Sequence, residues 1–164
     1  MTGGQHPKQF GVLSVDDRQG YSGLAFVQAL VSGALPHNNM VRTLGYDILE
    51  ASEGCVIVIA TPNTDHLNPA GGVHGGLAAT LLDSAMGLAV QSTLGQGLGS
   101  TTLEFKIFLL RPVTPNTGLI RAEGQVLKAG CRVSTTEGKL TDSQNRLLAH
   151  ATTTCLVFEY PPEG

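Results

Sequence analysis

Asp83 is the only ionisable residue between Gly75 and Thr93, in a run whose other members are mostly apolar or small. Gly76, Thr80, Asp83, Ser84, Gly87 and Gln91 recur at intervals of three and four, so they form one stripe of a helix. Leu77, Leu81, Leu82, Ala85, Met86 and Ala89, with their apolar neighbours, nearly encircle the rest, the pattern of a buried helix. A hydrated face usually carries Lys and Glu, whereas this stripe is built of small groups that let a ligand or another backbone approach. A carboxylate placed there suits general-base or nucleophilic work. The segment GGVHGG, residues 71–76, lies where that helix begins. The first N–H groups of a helix have no internal partner and sit at the positive end of its dipole, and glycines leave them approachable. Gly75 and Gly76 are therefore candidates to hold a developing oxyanion, with His74 beside them. The same six residues also suit a flexible loop closed by a capping histidine.

Helix geometry constrains how these groups cooperate. His74 and Asp83 are nine positions apart, a rotation of about 900° and a rise of ~13.5 Å. Within one chain they point away from each other. If both serve one reaction, Asp83 must face the loop of a second copy, which implies a homodimer with the site between subunits.

The elements that would carry these residues follow from periodicity and turn chemistry. Leu24, Val27, Leu30 and Val31 have helical spacing, with Ser22 as N-cap and Gly33 as stop. Residues 1–20 read as a loose arm, and PHNNMV, from Pro36, as a linker. A hairpin follows, LGYDILEA and CVIVIATP about a Ser52-Glu53-Gly54 turn. After the apolar helix come four strand-like runs, 101–110, 118–130, 131–142 and 146–158. The first alternates, with Leu103, Phe105, Ile107 and Leu109 on one face and Thr102, Glu104 and Lys106 on a wet one. Ala129-Gly130 and Asp142-Ser143-Gln144-Asn145 are short enough to join antiparallel neighbours. Strands in this order cannot bury one face alone, and an apolar helix of about 19 residues is their natural filling. The predicted class is α+β: an antiparallel sheet wrapped around one long central helix, with an extra N-terminal helix. The predicted organisation is an arm and short helix over 1–40, one domain over 41–160 and a tail over 161–164.

Bulk properties narrow the function. A chain of 164 residues fits one compact domain. Ten basic residues against 13 acidic ones, with no run of like charge, exclude a nucleic-acid footprint. Residues 1–10 lack the apolar core of a secretory signal and no stretch is long enough to span a membrane, so a soluble, cytoplasmic protein is expected. Cys55, Cys131 and Cys155 are far apart among apolar or β-branched neighbours, with no metal spacing, and are expected to be buried, reduced thiols. The run Gly95-x-Gly97-x-Gly99 precedes a strand, the wrong context for a dinucleotide loop, and no GxSxG elbow is present.

The run Asn68-x5-His74-Gly75-Gly76-x6-Asp83, followed by a strand near Thr101, resembles the hotdog-fold thioesterases of the PaaI-like, phenylacetate-pathway-type branch, related to 4-hydroxybenzoyl-CoA thioesterases. The resemblance spans about residues 44–158. It implies hydrolysis of an acyl-CoA thioester, with Asp83 as base or nucleophile and the Gly75 N–H polarising the carbonyl. It further implies that Asn68 positions the water or thioester and that His74 holds the loop and assists. Thr102 stands where the family often has Ser to orient the water, with Ser100 and Thr101 as less favoured matches. Asn68, His74 and Gly75 would come from one subunit, Asp83 and Thr102 from its mate. Gly76 and Ser84 would contact substrate, and Arg111, Lys128 and Arg132, at strand ends, could meet the CoA phosphates. No metal or separate cofactor is implied, coenzyme A being part of the substrate. The outer sheet face could pair dimers into a homotetramer. Two other readings stay open: a hotdog-fold acyl-thioester hydratase or dehydratase, and a non-catalytic acyl-CoA-binding module, which has no need of Asp83.

Overall fold

Caps and left-handed glycines divide the chain into its elements. A computed structural model describes residues 8–160; the polar opening, 1–7, and the expected tail, 161–164, lie outside the described residues. Helix α1 (Val15–Gln19) opens on a reciprocal Ser14–Asp17 capping box, so the expected loose arm holds a turn of helix. Helix α2 (Gly23–Ser32) starts after Ser22 and stops at Gly33, φ +76°, where the sequence predicted both ends. Helix α3 (Asn39–Leu44) occupies the expected linker. The Asn38 side chain accepts the Val41 N–H, and Gly45, at φ +62°, ends the helix.

Strands β1 (Tyr46–Ser52) and β2 (Cys55–Ala60) form the predicted hairpin, turned by Gly54 at φ +75°. The long helix α4 (Gly75–Ser92) follows. After it come β3 (Leu98–Leu109), β4 (Ile120–Lys128), β5 (Val133–Asp142) and β6 (Leu147–Glu159), close to the four predicted runs. All six strands form one antiparallel sheet in the order β1-β2-β4-β5-β6-β3. Chain order and sheet order part at one place. The α4 crossing carries the chain to the far edge, where β3 pairs, among the described residues, with β6 alone.

Leu81, Leu82, Ala85, Met86 and Ala89 of α4 are fully buried, in one core with Val56 and Val58 of β2, Ala122 of β4, Leu140 of β5 and Ala151 of β6. Each such Leu or Met contributes roughly 2 kcal/mol by leaving water. Helix and sheet pack closely at Gly124, where a Cβ would lie 2.4 Å from the Ala85 backbone. No rotamer relieves a clash with main chain. Gly124→Ala is expected to destabilise the fold by about 3 kcal/mol or more, read as a fall in midpoint in urea or thermal melts.

The β5–β6 turn is tied by Asp142. Its Oδ1 accepts the Gln144 and Arg146 N–H groups at 2.9 and 3.0 Å, and its Oδ2 accepts Arg146 Nε at 2.7 Å. Burial disfavours the charged form, but the Arg146 N–H and guanidinium and the Gln144 N–H outweigh it and hold the carboxyl below its ordinary range. A lowered folded-state pKa stabilises fully above the unfolded value, about 3.9, and the gain is lost as pH falls through the folded one. Asp142→Asn should therefore melt below wild type at neutral pH, with the gap closing on acidification below about pH 4.

Two sequence expectations are corrected here. Cys155 is buried and Cys55 half-buried, but Cys131 is exposed because it falls in the β4–β5 turn. The alternation of β3 is broken by a bulge. Thr102 pairs with Cys155 and Glu104 with Thr154, leaving Leu103 as the extra residue and 57% exposed, off the Phe105 face. Leu109 is also exposed, near the end of this edge strand.

Candidate active site

The bulge at Leu103 decides which way the start of β3 faces. Uninterrupted alternation would leave Thr102 beside Glu104 and Lys106 on the wet side. One extra residue reverses the parity upstream, and Thr102 turns toward α4. Its Oγ1 donates to Asp83 Oδ1 at 2.8 Å. Beneath this pair lies Cys155, fully buried, whose thiol is pushed up by burial and further by the Asp83 charge, against the Thr102 hydrogen bond.

Most of the α4 stripe lies along a cavity wall. Asp83, Ser84, Gly87 and Gln91 line a cavity of about 390 Å³, closed by Phe26 and Leu30 of α2, Val41 of α3, and Tyr46 and Ile48 of β1. Ser100, Thr101 and Thr102 line it from β3. The Ser84 hydroxyl and Tyr46 hydroxyl are 3.1 Å apart, which ties the helix to β1 beside the carboxylate. Gln91 Nε2 donates to Leu98 O at 3.2 Å, and Ser100 Oγ donates to Gln91 Oε1 at 3.4 Å.

The other predicted residues gather elsewhere. Asn68, His74, Gly75 and Arg111 line a second cavity, of about 240 Å³, at the N-terminal end of α4, together with Leu109. Asn68 Oδ1 accepts the Ala70 and Gly72 N–H groups at 2.9 and 3.2 Å and shapes the loop. His74 caps the helix: its Nδ1 accepts the Gly76 N–H at 2.8 Å, which places the proton of a neutral ring on Nε2. The cap discriminates between the two glycines. The Gly76 N–H is taken by His74, whereas the Gly75 N–H has no hydrogen-bond partner among the described residues and stays open for an oxyanion.

Within one chain the Asp83–Thr102 pair and the Asn68–His74–Gly75 group thus line separate cavities, as nine helical positions dictate. Arg111 joins the His74 group, with its Nη1 donating to Leu147 O at 2.6 Å. Lys128 and Arg132 are exposed at the β4–β5 end and line neither cavity. Sequence reasoning missed Tyr46 and His37 on the larger cavity. Tyr46 sits at an inward strand position that reads as core, and His37 lies in what reads as a linker.

Comparison with known proteins identifies the family. The family model described as the thioesterase superfamily matches residues 70–149, from the loop before α4 into β6. The chain belongs to the thioesterase superfamily, and its fold is the hotdog fold, of the PaaI-like kind. It is 32% identical over 114 residues to a protein of Halobacterium salinarum provisionally named as an esterase, covering 66% of this chain and 74% of that one. A Ralstonia eutropha structure, provisionally named a thioesterase and phenylacetic acid degradation-related protein, is 29% identical with a TM-score of 0.72, over 79% of this chain and 98% of that one. A Streptococcus mutans structure with acetyl-CoA bound is 27% identical with a TM-score of 0.64, over 71% and 91%. These likenesses support a hydrolase acting on thioesters. Among the described residues no helix is long and apolar enough to cross a membrane.

Proposed function

We propose that this protein hydrolyses acyl-CoA thioesters at a site shared between two copies of the chain, with Asp83 as base or nucleophile. The observation that carries the reading is the Thr102–Asp83 hydrogen bond on the wall of a cavity of about 390 Å³. A hydroxyl donating to one carboxylate oxygen fixes the carboxylate's orientation and leaves the other oxygen to act. Acyl-CoA as the ligand class is supported by the acetyl-CoA bound to the Streptococcus mutans neighbour.

Chemically, the Asp83 carboxylate either takes a proton from the attacking water or itself attacks the thioester carbon, forming an anhydride that water then opens. Both routes put negative charge on the carbonyl oxygen and expel the CoA thiolate. The Gly75 N–H, at the positive end of α4, is the group to receive that charge. Asn68 and His74 then orient the thioester or water at the same end. Two copies are required because Asp83 and Gly75 of one chain open on different cavities. The edge strand β3 suits such pairing: it is 12 residues long and presents Leu103 and Leu109, with Leu110 just past its end, each at least half exposed.

Free-thiol release from short, medium, long and aryl acyl-CoA esters tests the proposal. Turnover of at least one ester by the wild type is expected, and Thr102→Val, which loses the donor, should lower kcat about ten-fold while Thr102→Ser retains it. Binding without any release would instead favour the acyl-CoA-binding module.

A further inference from the structure

The cavity that holds Asp83 has a direction. Its wall on α4 is Asp83, Ser84, Gly87, Leu88 and Gln91, which advance ~12 Å along the helix from the carboxylate to Gln91. Strand β3 runs the opposite way beside it, with Thr102 bonded to Asp83 at one end and Ser100 to Gln91 at the other. The Gln91 end is shut. The buried Gln91 side chain reaches from α4 to β3, its Nε2 donating to Leu98 O at 3.2 Å and its Oε1 accepting from Ser100 Oγ at 3.4 Å. Helix α2 begins against the same residue: the Gly23 N–H donates to Leu94 O at 2.9 Å, and a Cβ on Gly23 would lie 1.8 Å from Gln91 O. Three elements converge on Gln91, so a chain laid along α4 from Asp83 meets a wall there.

Between the two ends stands Gly87. It lies inside α4, where glycine destabilises a helix relative to alanine. Packing does not demand it. A Cβ at this position would find, among the described residues, only Thr102 Oγ1 at 4.0 Å, an ordinary contact, whereas at Gly124 and Gly23 it would strike main chain. The direction of that Cβ, toward the residue that holds Asp83, is into the cavity. What glycine does here is keep the passage from Asp83 to Gln91 open, and a long side chain in its place would fill it.

We propose that Gly87 and Gln91 measure the acyl chain, Gly87 admitting it past Asp83 and Gln91 stopping it. This rests on the reading of the Asp83 cavity as the acyl site. With the thioester carbon beside Asp83, an extended chain that advances ~1.2 Å per bond reaches Gln91 after about ten bonds. The volume agrees: about 390 Å³ holds about a dozen groups of ~30 Å³, the size of a water or a methylene. The preferred substrates are then medium-chain acyl-CoA esters of about six to ten carbons, ahead of acetyl-CoA and of esters longer than the cavity.

The test compares kcat/KM for acetyl-, hexanoyl-, octanoyl-, decanoyl-, dodecanoyl- and myristoyl-CoA, below micelle-forming concentrations, on wild type, Gly87→Leu and Gln91→Ala. Octanoyl-CoA should exceed both acetyl- and myristoyl-CoA about ten-fold in the wild type. Gly87→Leu, which fills the passage, should lower the octanoyl-to-acetyl ratio about ten-fold. Gln91→Ala, which cuts back the wall, should instead raise the dodecanoyl-to-octanoyl ratio several-fold. A wild-type rate that keeps rising through myristoyl-CoA overturns the proposal, as does an unchanged ratio in either variant. Should a variant not fold, the wild-type length profile decides. If the wild type releases thiol from none of the esters, calorimetric affinities for the same set replace the rates. A length limit in binding that shortens in Gly87→Leu then supports the cavity assignment while the hydrolase reading fails.

Discussion

Asp83→Asn should lose about a thousand-fold in thiol release from its best acyl-CoA ester while still binding that ester and melting near the wild-type temperature. The substitution is nearly isosteric, and its amide oxygen can still accept from the Thr102 hydroxyl, which in the wild type donates to Oδ1 at 2.8 Å. What disappears is the negative charge and basicity that either route needs. General-base assistance alone is worth about 10²–10⁴-fold, so a thousand-fold fall lies inside that range. Binding measured in parallel separates the outcomes. Full activity in Asp83→Asn would remove Asp83 from the mechanism. A wild type that binds acyl-CoA without turnover would leave a binding module.

Mixing two inactive variants gives the second large effect. Asp83→Asn and His74→Ala are each expected to be nearly inactive, because each homodimer lacks one half of both its sites. In a heterodimer, one site combines the intact Asp83 of one chain with the intact His74 of the other, and the second site carries both lesions. Random exchange makes about half the dimers hetero, and each has one good site of two, so about a quarter of wild-type activity should return. The gain is measured against a background near zero. The geometry that demands it is the nine-position separation along α4, which puts the two groups in separate cavities. His74→Ala also removes the cap on the Gly76 N–H, a loss of about 1 kcal/mol that a melt would register. No recovery on mixing, with exchange verified by mass, would place the whole site within one chain.

Both results depend on features that differ in how visible they were beforehand. The identity of α4 was plain, because apolar residues nearly surround it and a polar stripe recurs at three and four. Its start was less plain, because GGVHGG suits a flexible loop as well as a helix N-terminus, and the helix in fact opens at Gly75 behind the His74 cap. The cap adds what composition left open: the His74 Nδ1 takes the Gly76 N–H, while the Gly75 N–H has no partner among the described residues. The linker reading of residues 36–41 failed because Asn38, a strong N-cap, starts α3 directly after Pro36-His37. The burial expected of Cys131 failed because burial follows position in the sheet, and this residue falls in a turn.

Sequence by itself determined most of the elements, α1 and α3 excepted, and the chemistry on offer. Local periodicity, caps and turn residues act within a few positions, so helices, strands and the Asp83 stripe could be read without knowing what they touch. Tertiary structure alone decided three things. It sent β3 to the far edge of the sheet, because the α4 crossing, not chain proximity, sets that pairing. It turned Thr102 inward, because one unpaired residue, Leu103, reverses the parity of a strand whose side chains alternate with period two. It also brought His37 and Tyr46 to the wall of the Asp83 cavity, a meeting of residues 37 or more positions away from that carboxylate that only the packing of α2, α3 and β1 on α4 brings about.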